Sequence, residues 1–326
     1  MTVKEVSEEF LTTKIAMTTF DYARSVKNMI EYLNQNYGDC EIDSLKPKDM
    51  DMLINKLSLK NPKTGKPSSK STLKRLVQSV SSVFNYAIEN EMATKNPMLN
   101  RKIPKNAPYN PRRALTDEEK NLLLRTEHRA KIAAMIMMFA GLRRGEVIPL
   151  KWVDIDFANN LILVNKSATK ADNNKFYVKS NTKNGKSRAV YMPEVLNSYL
   201  KQEKLKATSQ FLTTSKSGEM HTLTTWSQMW KSYQTALNLA NLNDMNRSIY
   251  NPNGVPKTVD NITPHMLRHT YATILYSAGV DVKTAAKLLG HSDIKTTLTI
   301  YTHLEEEKQI KSVDCLDKYI QSKFEI

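Results

Sequence analysis

The stretch "ITPHMLRHTYATILYSAGV", residues 262–280, sets His265, Arg268 and His269 close together in a segment that otherwise reads as core. In a helix, positions three and four apart share a face, so His265 neighbours both Arg268 and His269. Gathering two of the chain's six histidines around one arginine leaves four readings: a chance cluster, satisfied core histidines, a metal site, or a phosphate-activating centre. The i, i+4 histidine pair has the spacing of metal-binding helices. The glutamate of HExxH is missing, however, and no nearby Cys or Asp pair supplies further ligands, so no metal is expected.

Composition narrows the partners. With 326 residues and 40% hydrophobic content, the chain is long enough for about two domains. A net charge of +15 and a pI near 9.5 point to a polyanion, either nucleic acid or an anionic membrane surface, with plain solubility as the bland alternative. The N-terminus, "MTVKEVSEEFLTTK", is polar and acidic, so no secretory signal is expected. The longest apolar run, "IAAMIMMFAGL" (132–142), falls short of the ~20 residues that a transmembrane helix needs. Cys40 and Cys315 stand far apart and unaccompanied, as reduced thiols of a cytoplasmic protein do. A cytoplasmic protein that binds nucleic acid, with no membrane partner, is the working class.

The predicted fold is mainly α with a small antiparallel β-sheet. Residues 1–100 read as a bundle of four or five helices. In its clearest member, Ser71 to Asn90, the residues Leu73, Leu76, Val80, Val83, Phe84 and Ala87 share one face, with Ser71 or Thr72 as N-cap. Before it runs "KLSLKNPKTGKPSSKSTLKR" (56–75), basic and without an acid. Lys66, Lys70, Lys74 and Arg75 flank the helix start, where a DNA backbone could sit. Residues 101–112, in "MLNRKIPKNAPYNPRRA", are basic and proline-rich and read as a stiff linker whose Arg112 and Arg113 are further DNA-binding candidates. From 113 to 326 a second domain opens on a Thr116/Glu119 capping box. A buried helix follows over 129–141, then β-type runs at 161–165, 175–180 and 187–192, and then helices again.

Three more stretches could carry chemistry. In "AGLRRGEVIPL" (140–150), Arg143 leaves a buried helix end and needs an anion, which is either Glu146 or two oxygens of one phosphate. In "NTKNGKSRAV" (181–190), Asn184-Gly185 signals a hairpin bearing Lys183, Lys186 and Arg188, and a lysine held there can act as a general acid. In "AAKLLGHSDIKTTLTIYTHL" (285–304), His291 follows Gly290 and Tyr301 comes after it. Alone, each has a bland reading: a solvated lysine, a helix-terminal histidine, a packed tyrosine.

Taken in order, Arg143, Lys183, "HMLRH" (265–269), "LLGH" (288–291) and "TIYTHL" (299–304) resemble the tyrosine recombinase family, the phage-type integrases and Xer-type recombinases. The match covers the region from about 112 to 305, with the bundle resembling the family's core-binding domain more weakly. The resemblance implies a catalytic set of Arg143, Lys183, His265, Arg268, His291 and Tyr301, supported by Glu146 and by His269 as a buried neighbour. Lys186 rivals Lys183 for the hairpin position. It further implies that Tyr301 attacks a DNA phosphodiester to give a 3′-phosphotyrosyl bond and a free 5′-hydroxyl. His265 would take the tyrosine proton, Arg143 and Arg268 would neutralise the transition state with His291, and Lys183 would protonate the leaving oxygen. No cofactor is expected, because the bond energy stays in the phosphotyrosine and the guanidiniums supply the positive charge.

The implied partners are double-stranded DNA, a homotetramer on paired sites that passes through a Holliday junction, and accessory DNA-bending or directionality proteins. The implied setting is the nucleoid of a bacterium, or a phage or mobile element. With the linker near residue 110 there is little room for a further arm-binding domain, which leans towards a simple-site recombinase or an element-borne integrase. Two alternatives stay open: strand relaxation like that of a type IB topoisomerase, and a non-catalytic DNA-binding regulator with the same fold. In the C-terminal segment, Ile310, Val313, Leu316 and Ile320 recur at helical spacing; the resemblance implies a terminal helix that docks on a neighbouring protomer, with packing within its own chain as the alternative. Deleting the residues after Lys308 is therefore expected to abolish assembly on paired sites, measured by gel-shift of a two-site DNA.

Overall fold

The computed structural model of the chain describes residues 1–18, 20–109, 113–171, 175–179, 187–242, 257–306 and 313. Its contacts divide the chain into two units, Met1–Pro111 and Arg112–Ile326.

The first unit is built from four helices: α1 (Val3–Met17), α2 (Phe20–Tyr37), α3 (Pro47–Leu59) and α4 (Lys70–Glu89). α4 organises it. The six positions picked out by periodicity, Leu73 through Ala87, are all buried and meet Ile30 and Leu33 of α2, Leu53 and Leu57 of α3, and Val6 and Phe10 of α1. The N-cap of α4 is Ser69, not Ser71 or Thr72. Ser69 has extended backbone, and its hydroxyl accepts from the Thr72 amide. Ser68, Ser69, Ser71 and Thr72 all carry hydroxyls here, and the helix begins at Lys70, which makes Ser69 the cap.

The stretch read as a linker is not free of the first unit over residues 101–109. Ala107 is buried with Ile103 against the helical core, Arg101 pairs with Asp51 at 3.0 Å, and the Pro108 carbonyl accepts from the Lys70 amide. Prolines set the local shape, but a few apolar side chains and one backbone bond anchor it. Of the other linker residues, Asn110, Pro111 and Arg112 lie outside the described residues.

In the second unit, the capping box of Thr116 and Glu119 opens α5 (Asp117–Arg125) as its sequence predicts. α6 (Lys131–Phe139) is the hydrophobic centre, buried from Lys131 to Met138. Very short α7 (Arg144–Val147) leads into the strands β1 (Ile155–Asp156), β2 (Leu161–Val164), β3 (Ser167–Lys170), β4 (Phe176–Lys179) and β5 (Arg188–Tyr191). Helices α8 (Glu194–Leu205), α9 (Leu223–Leu242), α10 (Pro264–Ser277) and α11 (Val282–Leu289) follow. Residues 294–306, here α12, are also helical. α10 packs on α6, which brings residues of the two chain halves together.

The strands form two sheets rather than one: antiparallel β1-β2-β5 and antiparallel β3-β4. β3, "SATK", has no hydrophobic alternation and is missed by periodicity, because its pairing with β4 rather than its own pattern makes it a strand. The Asn184-Gly185 turn signal lies outside the described residues, and the strands on either side of it pair with β3 and β2, not with each other.

His221 tests the packing around α9. Only 1% exposed, it meets Trp226 edge-on, bonds Thr225 through Nδ1, and leaves Nε2 buried without a partner. Burial, helped by the charge of Arg129, pushes its pKa down to about 4. The unfolded chain would therefore take up this proton near pH 6.5 and the folded chain only near 4. Stability should be fully present above about pH 6.5 and fall as pH drops toward 4. Replacing His221 with Asn is expected to flatten that part of the Tm-against-pH profile, measured by thermal melting.

Candidate active site

The site assembles where α6 ends and α10 begins. After α6, Gly141 takes φ +64°, and a Cβ there would stand 2.2 Å from the Tyr271 ring of α10. This glycine turns the chain so that Leu142 is buried and Arg143 becomes the extended N-cap of α7. The Arg143 amide donates to Glu146 Oε2 at 2.8 Å, its Nη1 to Glu146 Oε1 at 3.1 Å, and its Nη2 to the Gly290 carbonyl at 3.0 Å. Arg143 therefore pairs with Glu146, as the bland reading held, and still lines the cavity described below.

Glu146 is 3% exposed. Burial pushes its carboxyl upward, but the hydrogen bonds and charge of Arg188, with those of Arg143, outweigh this and hold it below the usual carboxylate range. Arg188, on β5, reaches Glu146 through both Nη atoms at 2.9 Å each.

α10 starts at Pro264, with Thr263 as N-cap accepting from the Met266 amide. From this rigid start His265 is exposed, His269 is half-buried, and Arg268 is 6% exposed. The expectation of a buried His269 is corrected: it lines the same cavity as the other basic groups. Arg268 donates to the carbonyls of Gly141 and Leu289. Burial first, and the nearby Arg143 charge second, bring its pKa down to about 9, so it stays charged at neutral pH while its charge is not neutralised by its carbonyl partners.

His291 follows Gly290, the left-handed C-cap of α11, and bonds Thr297 Oγ1 through Nδ1 at 2.8 Å. Burial and then the charges of Arg268, Arg143 and Arg188 push its pKa down to about 4, so the ring is neutral at physiological pH. Arg143, His265, Arg268, His269 and His291 line one cavity of about 280 Å³ together with Ser292 and Thr296. Arg143 and Arg268 give this lining two positive charges, and no carboxylate is part of it. Guanidinium forks suit the oxygens of a tetrahedral anion.

One expected member that the structure describes does not line it. Tyr301, on α12, is 7% exposed and packs edge-on to Tyr276, and its hydroxyl donates to the Val280 carbonyl at 3.1 Å. It does not line the cavity, whereas its neighbour Ile300 does. Burial, with Asp281 nearby, raises its pKa above the ordinary tyrosine value. Lys183 and its rival Lys186 lie outside the described residues.

Among the DNA-binding candidates, Lys66, Lys74 and Arg75 are exposed and Lys70 is half-buried at the start of α4. None of the four makes an ion pair with a described residue. Arg113 is different: it pairs with both oxygens of Glu119 and with Asp260, which commits its charge within the protein. Arg112 is outside the described residues. Sequence reasoning missed Thr297 and the weight of Arg188. The signal for Arg188 was its place among the basic residues of "NTKNGKSRAV", but nothing local ties it to Glu146.

The profile of the Phage integrase family matches residues 112–308. A tyrosine recombinase XerC-like protein of Caldanaerobacter subterraneus subsp. tengcongensis is 32% identical over 271 residues, 76% of this chain and 66% of that protein. The fold resembles that of the Tn1549 transposon integrase in complex with a circular intermediate DNA, with a TM-score of 0.75, 22% identity, and coverage of 94% of this chain and 99% of that one. It also resembles a lambda integrase tetramer bound to a Holliday junction, with a TM-score of 0.66, 17% identity, and coverage of 90% and 78%.

Gly141 provides the check on this geometry. Exchanging Gly141 for Ala forces a left-handed residue, worth about 1–2 kcal/mol in strain, and drives a methyl into Tyr271. The expected result is a lower melting temperature and loss of DNA cleavage, because both Arg143 and the carbonyl that holds Arg268 shift.

Proposed function

The chain belongs to the phage integrase family and is a tyrosine-type site-specific DNA recombinase, and on that premise we propose that Arg143, Arg268, His265 and His291 clasp the scissile phosphate for attack by Tyr301. The observation that carries this reading is the +2 cavity. Two guanidiniums, one buried and bonded to carbonyls, converge with three histidines on a space with room for a phosphodiester.

In this reading, a DNA phosphodiester enters the cavity and its non-bridging oxygens take the forks of Arg143 and Arg268. Their charge attracts the phosphate and stabilises the extra negative charge of the pentacoordinate transition state. His291 acts as a neutral donor. With Thr297 donating to Nδ1, its Nε2 carries the proton and bonds a phosphate oxygen. Tyr301 exchanges the Val280 carbonyl for the phosphorus. As the Tyr301 Oη–P bond forms and the P–O5′ bond breaks, the phenol proton passes to His265 and Lys183 protonates the departing 5′-oxygen. The raised pKa of the buried hydroxyl makes a base necessary at that moment.

The chain acts on DNA, and the exposed cations around the start of α4 supply backbone contacts that position without specifying sequence. Assembly as a tetramer on paired sites is inferred from the lambda integrase tetramer on a Holliday junction. Action within a mobile element is inferred from the transposon integrase. No helix among the described residues is long and apolar enough to cross a membrane.

The experiment is covalent capture. Cells expressing the protein should yield SDS-resistant protein–DNA adducts whose sequenced DNA clusters on one site. Tyr301→Phe should yield none, and Arg268→Ala should slow adduct formation on that site by ~10²–10³-fold. A wild-type protein that forms no adduct would leave the regulator reading ahead, and supercoil relaxation without exchange would favour the topoisomerase reading.

A further inference from the structure

Arg188 has no place in the chemistry above, yet it touches both supports of Arg143. Its two Nη atoms take the two oxygens of Glu146 at 2.9 Å each. The same oxygens receive the Arg143 amide at 2.8 Å and Arg143 Nη1 at 3.1 Å. A carboxylate buried to this degree keeps one orientation only if its partners hold it, and the Arg188 fork is the bidentate partner.

The second support is the Gly290 corner. A Cβ on Gly290 would lie 2.8 Å from Cζ and Nε of Arg188, so the guanidinium rests directly against this glycine. Gly290 turns in the left-handed region, accepts from Arg143 Nη2 at 3.0 Å, and immediately precedes His291. Arg188 Nε is buried without a hydrogen-bond partner, so the side chain sits where Glu146 and Gly290 need it and leaves one of its own donors unsatisfied. It does not line the cavity that holds Arg143 and Arg268.

We propose that Arg188 is a positioning residue: by fixing Glu146 and bracing Gly290 it aims Arg143 and seats His291, without touching the DNA. β5, which carries it, is paired with β2 from Arg188 to Tyr191. The proposal rests on the catalytic assignment made above.

The test uses the full chain and a nicked duplex of the sequence recovered in the covalent adducts. At saturating DNA, Arg188→Met should slow adduct formation by ~10–100-fold, the usual range for a residue that orients an active-site group. Duplex affinity should stay within about twofold, since the side chain makes no DNA contact. Arg188→Lys should recover part of the rate, because it keeps the charge but loses the fork. In a Glu146→Gln background, Arg188→Met should add less than about threefold, the non-additivity of groups acting in series. A wild-type rate, a loss matched by weakened affinity, or multiplied losses in the double variant would each overturn the proposal. If melting shows Arg188→Met unfolded, Arg188→Lys and its cycle with Glu146→Gln read the same outcomes. Adducts persisting in Tyr301→Phe would instead sink the catalytic assignment, whatever Arg188 does.

Discussion

The buried carboxylate of Glu146 is the constraint on which the site depends. At 3% exposure it must be compensated, and it gathers two guanidiniums from separate parts of the chain, Arg143 beside it on α7 and Arg188 on β5. Removing one partner of such an arrangement leaves an uncompensated buried charge, which typically costs about 3–5 kcal/mol. Arg268 is held by two carbonyls, and burial first, with the like charge of Arg143 second, lowers its pKa. The cluster is thus a partly compensated set of charges, and the deficit faces the cavity.

Tyr301 is held differently. A tyrosine hydroxyl near the protein interior needs an acceptor, and without DNA Tyr301 finds it in the Val280 carbonyl, beside Tyr276. α12 also carries Thr297, which fixes the His291 ring, and Ile300, which lines the cavity. One helix therefore lines the cavity through Ile300 and holds His291 through Thr297, while its Tyr301 ring packs against Tyr276. In the proposed reaction only that last side chain has to change partner.

Where a feature was local, its reading from sequence was reliable. The apolar face of α4, the capping box of α5 and the all-apolar α6 depend on residues within a turn or two of each other. The same holds for the face that joins His265, Arg268 and His269. Where a feature depended on distant partners, the reading failed or stayed silent. β3 is a strand because β4 lies beside it, residues 101–109 join the first unit through Ala107 and Asp51, and Arg113 is spent on Glu119 and Asp260. The ion pairs of Arg113 join it to Glu119 nearby and to Asp260 far along the chain, and only the second needed the fold to be seen.

By itself the sequence determined the chemistry available: which arginines, histidines and tyrosine occur, in what order, and on which helices. Order and spacing were enough to place the chain in its family, because each motif is a short segment. Tertiary structure decided how those groups are held. That Arg188 bonds Glu146, that His291 is neutral beside three arginines, and that Tyr301 rests on Val280 all follow from contacts that no single motif contains. The physical reason is that burial and charge compensation are properties of the packed neighbourhood, and no window of sequence contains that neighbourhood.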